Sequence, residues 1–431
     1  MFSARLRFSG SRRRVVKRRH RRGAIVVLLA VMMVVVFAFV ALCVDIGWTT
    51  ATKSELQNAA DAAAAAGASR LQDNYGSYST GGQSNQASVA NSAKQLATSA
   101  SVLFASYNRA GGVNSLSMPT SDVQVGFTDA NGNFTANYNG YPNTVQVVAR
   151  RDSTANNSLS LFFAPIIGTR NVALTATSSA TIYTGLISSF DPNGGGISSG
   201  SSYTSPDGSA WGDDYSSSGS GFHSSLMPVA FDVNMWNAFV AAGVSPDGSS
   251  QTDSNGNSTI QIYPSPANCP GNFGLLCIGP DTNADGDYAN WVENGPSSSD
   301  LQNLIDNGKL PASQSAPSAF KGSPGLKSNL VNSFADIVGQ PRLLPLFQPV
   351  STNPYQAASG NGNNASYSIV GFVGVTVTSA SGNGSNMKIM VSPCGVIDPT
   401  AVFDPNTIYP AGAEPAGQIK SFTYTATKFT N

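Results

Sequence analysis

The chain is short of the residues that carry most hydrolytic and metal chemistry. In 431 residues it has two histidines, His20 and His223, and three glutamates, Glu55, Glu293 and Glu414. A Ser-His-Asp triad or a histidine-rich zinc site needs an ordered imidazole. His20 sits among arginines, and His223 falls in a Ser/Gly-rich stretch where a solvated ring is expected. No phosphate-cradling P-loop is present. Carboxylate catalysis is left to aspartates, which the pattern does not pair. The four cysteines have no CxxC spacing, so metal binding through them is not expected. Cys43 lies in an apolar run, and disulfides among Cys269, Cys277 and Cys394 are all open.

Charge is also scarce. Charged residues make up 11% of the chain, against about a quarter in ordinary soluble domains. Gly, Ser, Asn and Thr take their place, a composition that suits an exported β-rich protein and its linkers. The formal net charge of zero hides an asymmetry. Ten of the 24 Lys and Arg lie in the first 22 residues, with no acid among them, and the remainder is net −10.

What is present begins at that basic end. "RRRVVKRRHRR" (12–22) is followed directly by "AIVVLLAVMMVVVFAFVALCV" (24–44), which has 21 residues and neither charge nor proline. About 20 such residues span a bilayer. The basic tail reads as a positive-inside flank rather than a nucleic-acid grip, with anionic lipid headgroups as its partner. A cleaved signal has a shorter apolar core. "VALC" (40–43) puts the large Leu42 where a lipoprotein box wants a small residue, and Leu28 stands where type IV pilins carry glutamate. The expectation is therefore an uncleaved signal anchor in the inner membrane, N-terminus cytoplasmic and everything after Asp45 exported.

Beyond the span, "DIGWTTATKSELQNAADAAAAAGASRL" (45–71) keeps a helical period. Asp45 and Trp48 sit where interface anchors are found. Leu56, Ala60, Ala63, Gly67 and Leu71 fall on one stripe, so small that another helix backbone can approach closely. Asp45, Trp48, Leu56, Ala60, Ala63 and Gly67 are the candidate packing residues, toward a helix of the same chain or of a partner. A helix through 24–71 would be about 70 Å long.

These residues resemble a known family. "RRGAIVVLLAVMMVVVFAFVALCVDIG" followed by "LQNAADAAAAAGA" is similar to the N-terminal segment of TadG-like proteins of the Tad/Flp pilus-assembly systems. "NTVQVVARRD", "LFFAPIIG" and "VALTATSSATIY" resemble their exported part. The resemblance implies a bacterial, membrane-anchored accessory protein of an adhesive pilus, with pilus-assembly or other inner-membrane proteins as partners and no enzymatic turnover.

The expected organisation is a basic cytoplasmic tail (1–23), a transmembrane helix (24–44), a juxtamembrane Ala-rich helix (45–71), an α+β exported domain (72–184), a Ser/Gly-rich linker (185–225) and a second exported α+β domain (226–431). Residues 72–88 read as loop. A helical stripe from Val89 to Tyr107 follows, then strands around Val123–Phe127, Phe134–Tyr138 and 144–150. "NSLSLFFAPIIG" reads as a short helix interrupted near Pro165, and a fourth strand runs from Val172 to Ile182. In the second unit, strands are expected near 228–232, 259–263, 274–278, 342–348, 367–378, 386–392 and 421–428. Helices are expected near 287–294, 299–307 and 325–338.

One motif carries metal chemistry. In "DTNADGDYANWVE" (281–293), Asp281, Asn283, Asp285 and Asp287 alternate around Gly286 as in an EF-hand calcium loop. The twelfth position, normally a bidentate Glu, is Val292, with Glu293 one place late. The competing reading is an Asx-rich turn that caps the following helix. No resident cofactor is expected. A calcium-stabilised surface-binding or adhesion module on a membrane anchor is the alternative function.

Overall fold

A computed structural model describes residues 22–80, 83–193, 223–253, 256–263, 273–279, 285–323, 327, 329–352, 355–360, 365–382, 386–425 and 428–429. Helix α1 runs unbroken over Arg22–Thr80 and helix α2 over Gln83–Ser106. At 1.5 Å per residue, the 59-residue α1 is about 90 Å long. It extends past the expected end at Leu71. Residues 72–80 are helical rather than loop, and α2 begins six residues before the expected Val89. The segment is polar, but Leu71 and Tyr75 are buried and tertiary packing holds it helical.

The two halves of α1 live in different surroundings. The side chains of 25–44 stand clear of the rest of the chain, with only Ala41 half-buried. This segment is long and apolar enough to cross a membrane. From Leu56 onward the stripe turns inward. Leu56, Ala59, Ala60, Ala63, Ala64, Ala68 and Leu71 are all fully buried.

Sheet one covers that stripe. Its strands β1 (Val123–Thr128), β2 (Phe134–Ala136) and β3 (Thr144–Arg151) come first. The short strands β4 (Leu159–Ser160) and β5 (Asn171–Val172) pair with each other, and β6 (Leu174–Thr181) completes the sheet. The order is β2-β1-β3-β6, antiparallel throughout, with Lys428–Phe429 added at the outer edge of β6. The register sets Val125 opposite Val145, and Val145 opposite Ala180. Val123, Val125, Val145, Val147, Ala149, Ala176 and Ala180 are buried, the alternation of a sheet with one face on a core. Both helices pack on it.

Sheet two has ten strands, ordered for most of its length Gln251–Thr252, Ser258–Tyr263, Lys388–Pro393, Ala365–Ser381, Ser318–Ser323, Phe273–Leu276, Val229–Asp232, Pro341–Gln348. Pro341–Gln348 also pairs back with Ala365–Ser381. The last five of these strands therefore close a ring. Helices Asp285–Glu293, Ser298–Asp306 and Leu330–Asp336 lie close to the expected places. Helix Val233–Ala242 and strand Ser318–Ser323 were not expected. The architecture is a single long apolar helix followed by an α+β region.

The two sheets exchange strands. Ile187–Phe190, in the stretch expected to be linker, pairs with Phe372 and with Ala401–Phe403 of sheet two. Lys428–Phe429 at the C-terminal end returns to sheet one. The remainder of the Ser/Gly stretch, 194–222, lies outside the described residues.

Candidate functional site: the junction of the apolar helix and sheet one

Asp45 stands one residue beyond the apolar run and is 6% exposed. Its carboxylate does not face solvent. Oδ1 accepts from the amide of Phe162 at 2.8 Å, and Oδ2 accepts from Phe163 at 3.0 Å and Ala164 at 2.7 Å. Three consecutive amides of a distant loop thus converge on one anion, as they do at a helix N-terminus. One turn further on, Trp48 is half-buried and its ring lies 5.8 Å from that of Phe162.

The loop so held runs between β4 and β5. The expected helix in "NSLSLFFAPIIG" is one 3-10 turn, Ala164–Ile167. Pro165 near its start removes a donor, and Gly168 ends it in the left-handed region at φ 99°. Phe162, Phe163, Ile166 and Ile167 are exposed, the last two at 84% and 80%. Between this loop and α1 lies a groove of about 750 Å³, walled by Phe37, Val40, Ala41 and Leu42 on one side and Ile166 and Ile167 on the other. The signal for this feature in the sequence is the apolar run around a proline and before a glycine.

The alanine stripe finds its partner inside the chain. Leu56, Ala60, Ala63 and Gly67 are buried where α1 meets α2 and sheet one. Ala90, Ala93 and Ala97 of α2 are buried in the same core. At Gly67 the approach is close: a Cβ added there would sit 2.2 Å from Ser101 Oγ, 3.0 Å from Val145 and 3.1 Å from the Ala97 carbonyl oxygen. Burial places these four residues in the chain's own core, the same-chain form of the expected packing. Small residues serve here to bring the chain's own helices together.

Polar side chains fix the rest of the junction. Glu55 accepts from the Gly111 amide at 2.8 Å. Gln57 reaches the Thr177 carbonyl at 3.2 Å, and Lys53 donates to that of Thr175. Arg150 makes a two-pronged pair with Asp122, at 2.6 and 2.7 Å. Asp122 foremost, and Asp152 after it, hold that guanidinium above its ordinary pKa.

The calcium-like residues are placed only in part. Asp281 and Asn283 lie outside the described residues. Asp285 and Asp287 stand in the first turn of helix Asp285–Glu293, so the loop's fifth and seventh positions are already helical. Among the described residues no group of three His, Cys, Asp or Glu is gathered for a metal. His223 is exposed, with Nδ1 3.2 Å from the Gly295 carbonyl oxygen. Cys277 is buried, Cys394 forms no disulfide, and Cys269 lies outside the described residues. The Cys394 pairings with Cys269 and Cys277 are therefore not made.

Comparison with curated proteins and with solved structures gave no match. A family model does match, and it begins at the foot of the span and ends three residues past Gly67. Over residues 23–70, which hold the apolar span, Asp45 and the buried alanine stripe, the chain is similar to the family described as putative Flp pilus-assembly TadE/G-like.

Proposed function

We propose that this chain is a membrane-anchored, non-enzymatic accessory protein of Tad/Flp-type pilus assembly. The observation that carries the reading is the coincidence of the TadE/G-like match with the exposed apolar helix and its capped, buried continuation. In this reading the helix is a single-pass inner-membrane anchor. The ten Lys and Arg at the N-terminus stay in the cytoplasm, and the α+β region is exported. The protein acts by anchoring that region and offering it to other pilus-assembly components.

With the stripe on α1 consumed internally, contact with partners falls to other surfaces. Leu96 and Leu103, about half exposed and seven residues apart on α2, lie outside the α1–α2 seam. A partner helix packs on such a row.

Two experiments test the reading in the source bacterium. Protease added to spheroplasts should digest the exported region and spare the basic tail; a protected C-terminal region overturns the topology. Deleting the gene should reduce surface pili, and the full chain should restore them while a chain lacking 23–70 should not. Unchanged piliation in the deletion strain overturns the assembly role.

A further inference from the structure

We infer that the 161–168 loop is a second membrane contact, whose Phe162, Phe163, Ile166 and Ile167 enter the lipid leaflet at the C-terminal end of the span. The proposal rests on the anchoring part of the reading above and goes beyond it. Two independent observations carry it.

The first is position. The groove between loop and helix reaches from Asp45 back to Phe37, eight residues along α1 or about 12 Å of helix axis. Ile166 and Ile167 therefore sit beside Phe37, Val40 and Ala41, inside the segment that crosses the bilayer. If the helix is in hydrocarbon at that level, so is the loop. The groove continues the lipid-facing surface of the anchor, and acyl chains are its occupant. That reach is slightly deeper than the about 5–10 Å at which interfacial apolar segments settle. The flanks match this placement. Trp48 lies at the base of the loop against Phe162, where aromatic belts mark the interface, and the exposed Arg170 stands just beyond it, at headgroup level.

The second is backbone chemistry. Irregular chain is excluded from hydrocarbon because its N–H groups have no water to bind. This loop meets that condition at seven of the eight N–H groups of 161–169. The amide of Leu161 donates to the Arg170 carbonyl at 3.0 Å, Ile166 to Phe163 at 3.0 Å, Gly168 to Pro165 at 3.2 Å and Thr169 to Ala164 at 3.1 Å. Pro165 has no N–H. Three further consecutive amides, at 162, 163 and 164, are taken by Asp45. A solvent-exposed loop has no need of a buried carboxylate to satisfy donors that water would serve. Asp45 is thus a positioning residue: it holds the loop closed so that its apolar tip can leave water.

The test uses the full chain in vesicles of phosphatidylethanolamine and phosphatidylglycerol. The photoreactive amino acid p-benzoylphenylalanine is placed at Ile167, at Phe39 in the anchor, or at Asn131 in the β1–β2 turn. After irradiation, positions 167 and 39 should form phospholipid adducts of comparable yield and position 131 none. A second set places the probe at Phe163: Ile166→Asp with Ile167→Asp should abolish its lipid adduct while the adduct at 39 persists. Both isoleucines are exposed, so the pair does not disturb the core. Adduct at 39 without adduct at 167 overturns the loop's insertion and leaves the anchor standing. Crosslinks from 167 to a second copy or another protein overturn it as well. Loss of adduct at 39 overturns the anchor itself.

Discussion

Asp45 and Ala164 are 119 residues apart in the chain and 2.7 Å apart in space, carboxylate oxygen to amide nitrogen. This bond and its two neighbours tie α1, just past the end of its apolar segment, to the β4–β5 loop. They fix how sheet one sits at the end of the apolar segment, because β5 runs into β6 after one residue and β4 follows β3 after a seven-residue turn. Replacing Asp45 by Ala should free the amides of 162–164. Hydrogen exchange there should rise sharply while the amides of β3 keep their protection. Asp45→Asn should give an intermediate result, since it retains an acceptor oxygen and loses the charge. Equal exchange in all three proteins would show that the cap does not hold the loop.

The α1–α2 seam makes a prediction about size. Gly67→Ala places a methyl 2.2 Å from Ser101 Oγ and 3.1 Å from the Ala97 carbonyl oxygen, and Ala63→Leu forces bulk into a site with no exposure. Overpacking of a filled core costs about 1–3 kcal/mol. Each variant, in detergent, should melt several degrees below the wild type. Ala62→Leu, on the half-exposed side of the same turn, should cost less. A melting temperature unchanged in Ala63→Leu would mean that the seam opens in solution and that its residues are available to partners.

Legibility followed periodicity. The apolar span, the alanine stripe and the alternation Val123, Val125, Phe127 each repeat with the period of one element, and the helix and strand they predict are present. The end of α1 was not, because residues 72–80 are held by tertiary contacts that leave no local trace. Tyr75, for example, packs its ring against Tyr141, Phe422 and Tyr424, the last two some 350 residues away. Helix Val233–Ala242 did have a signal: Asp232 caps it, Val233, Trp236 and Val240 repeat along it, and Gly243 ends it. The strand exchange between the sheets had no local signal at all. At the candidate site, burial of the stripe followed from its pattern, whereas the meeting of Asp45 with residues 162–164 is a long-range pairing that one sequence does not display.

Acid should loosen sheet one at its β3 end. Burial alone would raise the pKa of Asp152, but the amides of Thr154 and Ala155 and the Arg150 guanidinium outweigh it and hold the carboxyl below the ordinary 3.8. A depressed carboxyl contributes stability above its unfolded pKa and loses it as pH falls through the folded one. The melting temperature should therefore hold above the ordinary carboxylate range and drop as pH falls below it. Asp152→Asn should lower the plateau and flatten the drop. Parallel curves for the two proteins would remove Asp152 from the acid transition.

Asp232 shifts the other way. Burial raises its pKa, against the Tyr355 hydroxyl at 2.5 Å and the amides of Asn234 and Met235. A raised carboxyl contributes stability that is complete below its unfolded pKa and is lost as pH rises through the folded one. Asn caps helices about as well as Asp without a charge to desolvate. Asp232→Asn should therefore melt no lower than wild type at neutral pH, with its advantage shrinking on acidification. Tyr355→Phe should cost about 1–3 kcal/mol by leaving the carboxylate short of a donor. A neutral-pH loss in Asp232→Asn as large as that in Tyr355→Phe would assign the stabilisation to the charge.

The segment around Asp285 separates a calcium loop from a helix start. In an EF-hand the ligands at positions one, three, five and seven precede the exit helix. Here the helix begins at Asp285, and Asp287 lies in its first turn, where an acidic side chain favours the helix dipole without any ion. The chain also has Val292 where the bidentate ligand belongs. Millimolar calcium should therefore leave the melting temperature where a chelator leaves it, and Asp287→Asn should lower it in both conditions by the loss of the dipole contact, about 0.3–1 kcal/mol. A calcium-dependent rise that Asp281→Asn or Asp285→Asn abolishes would reverse this and give the region around sheet two a resident ion.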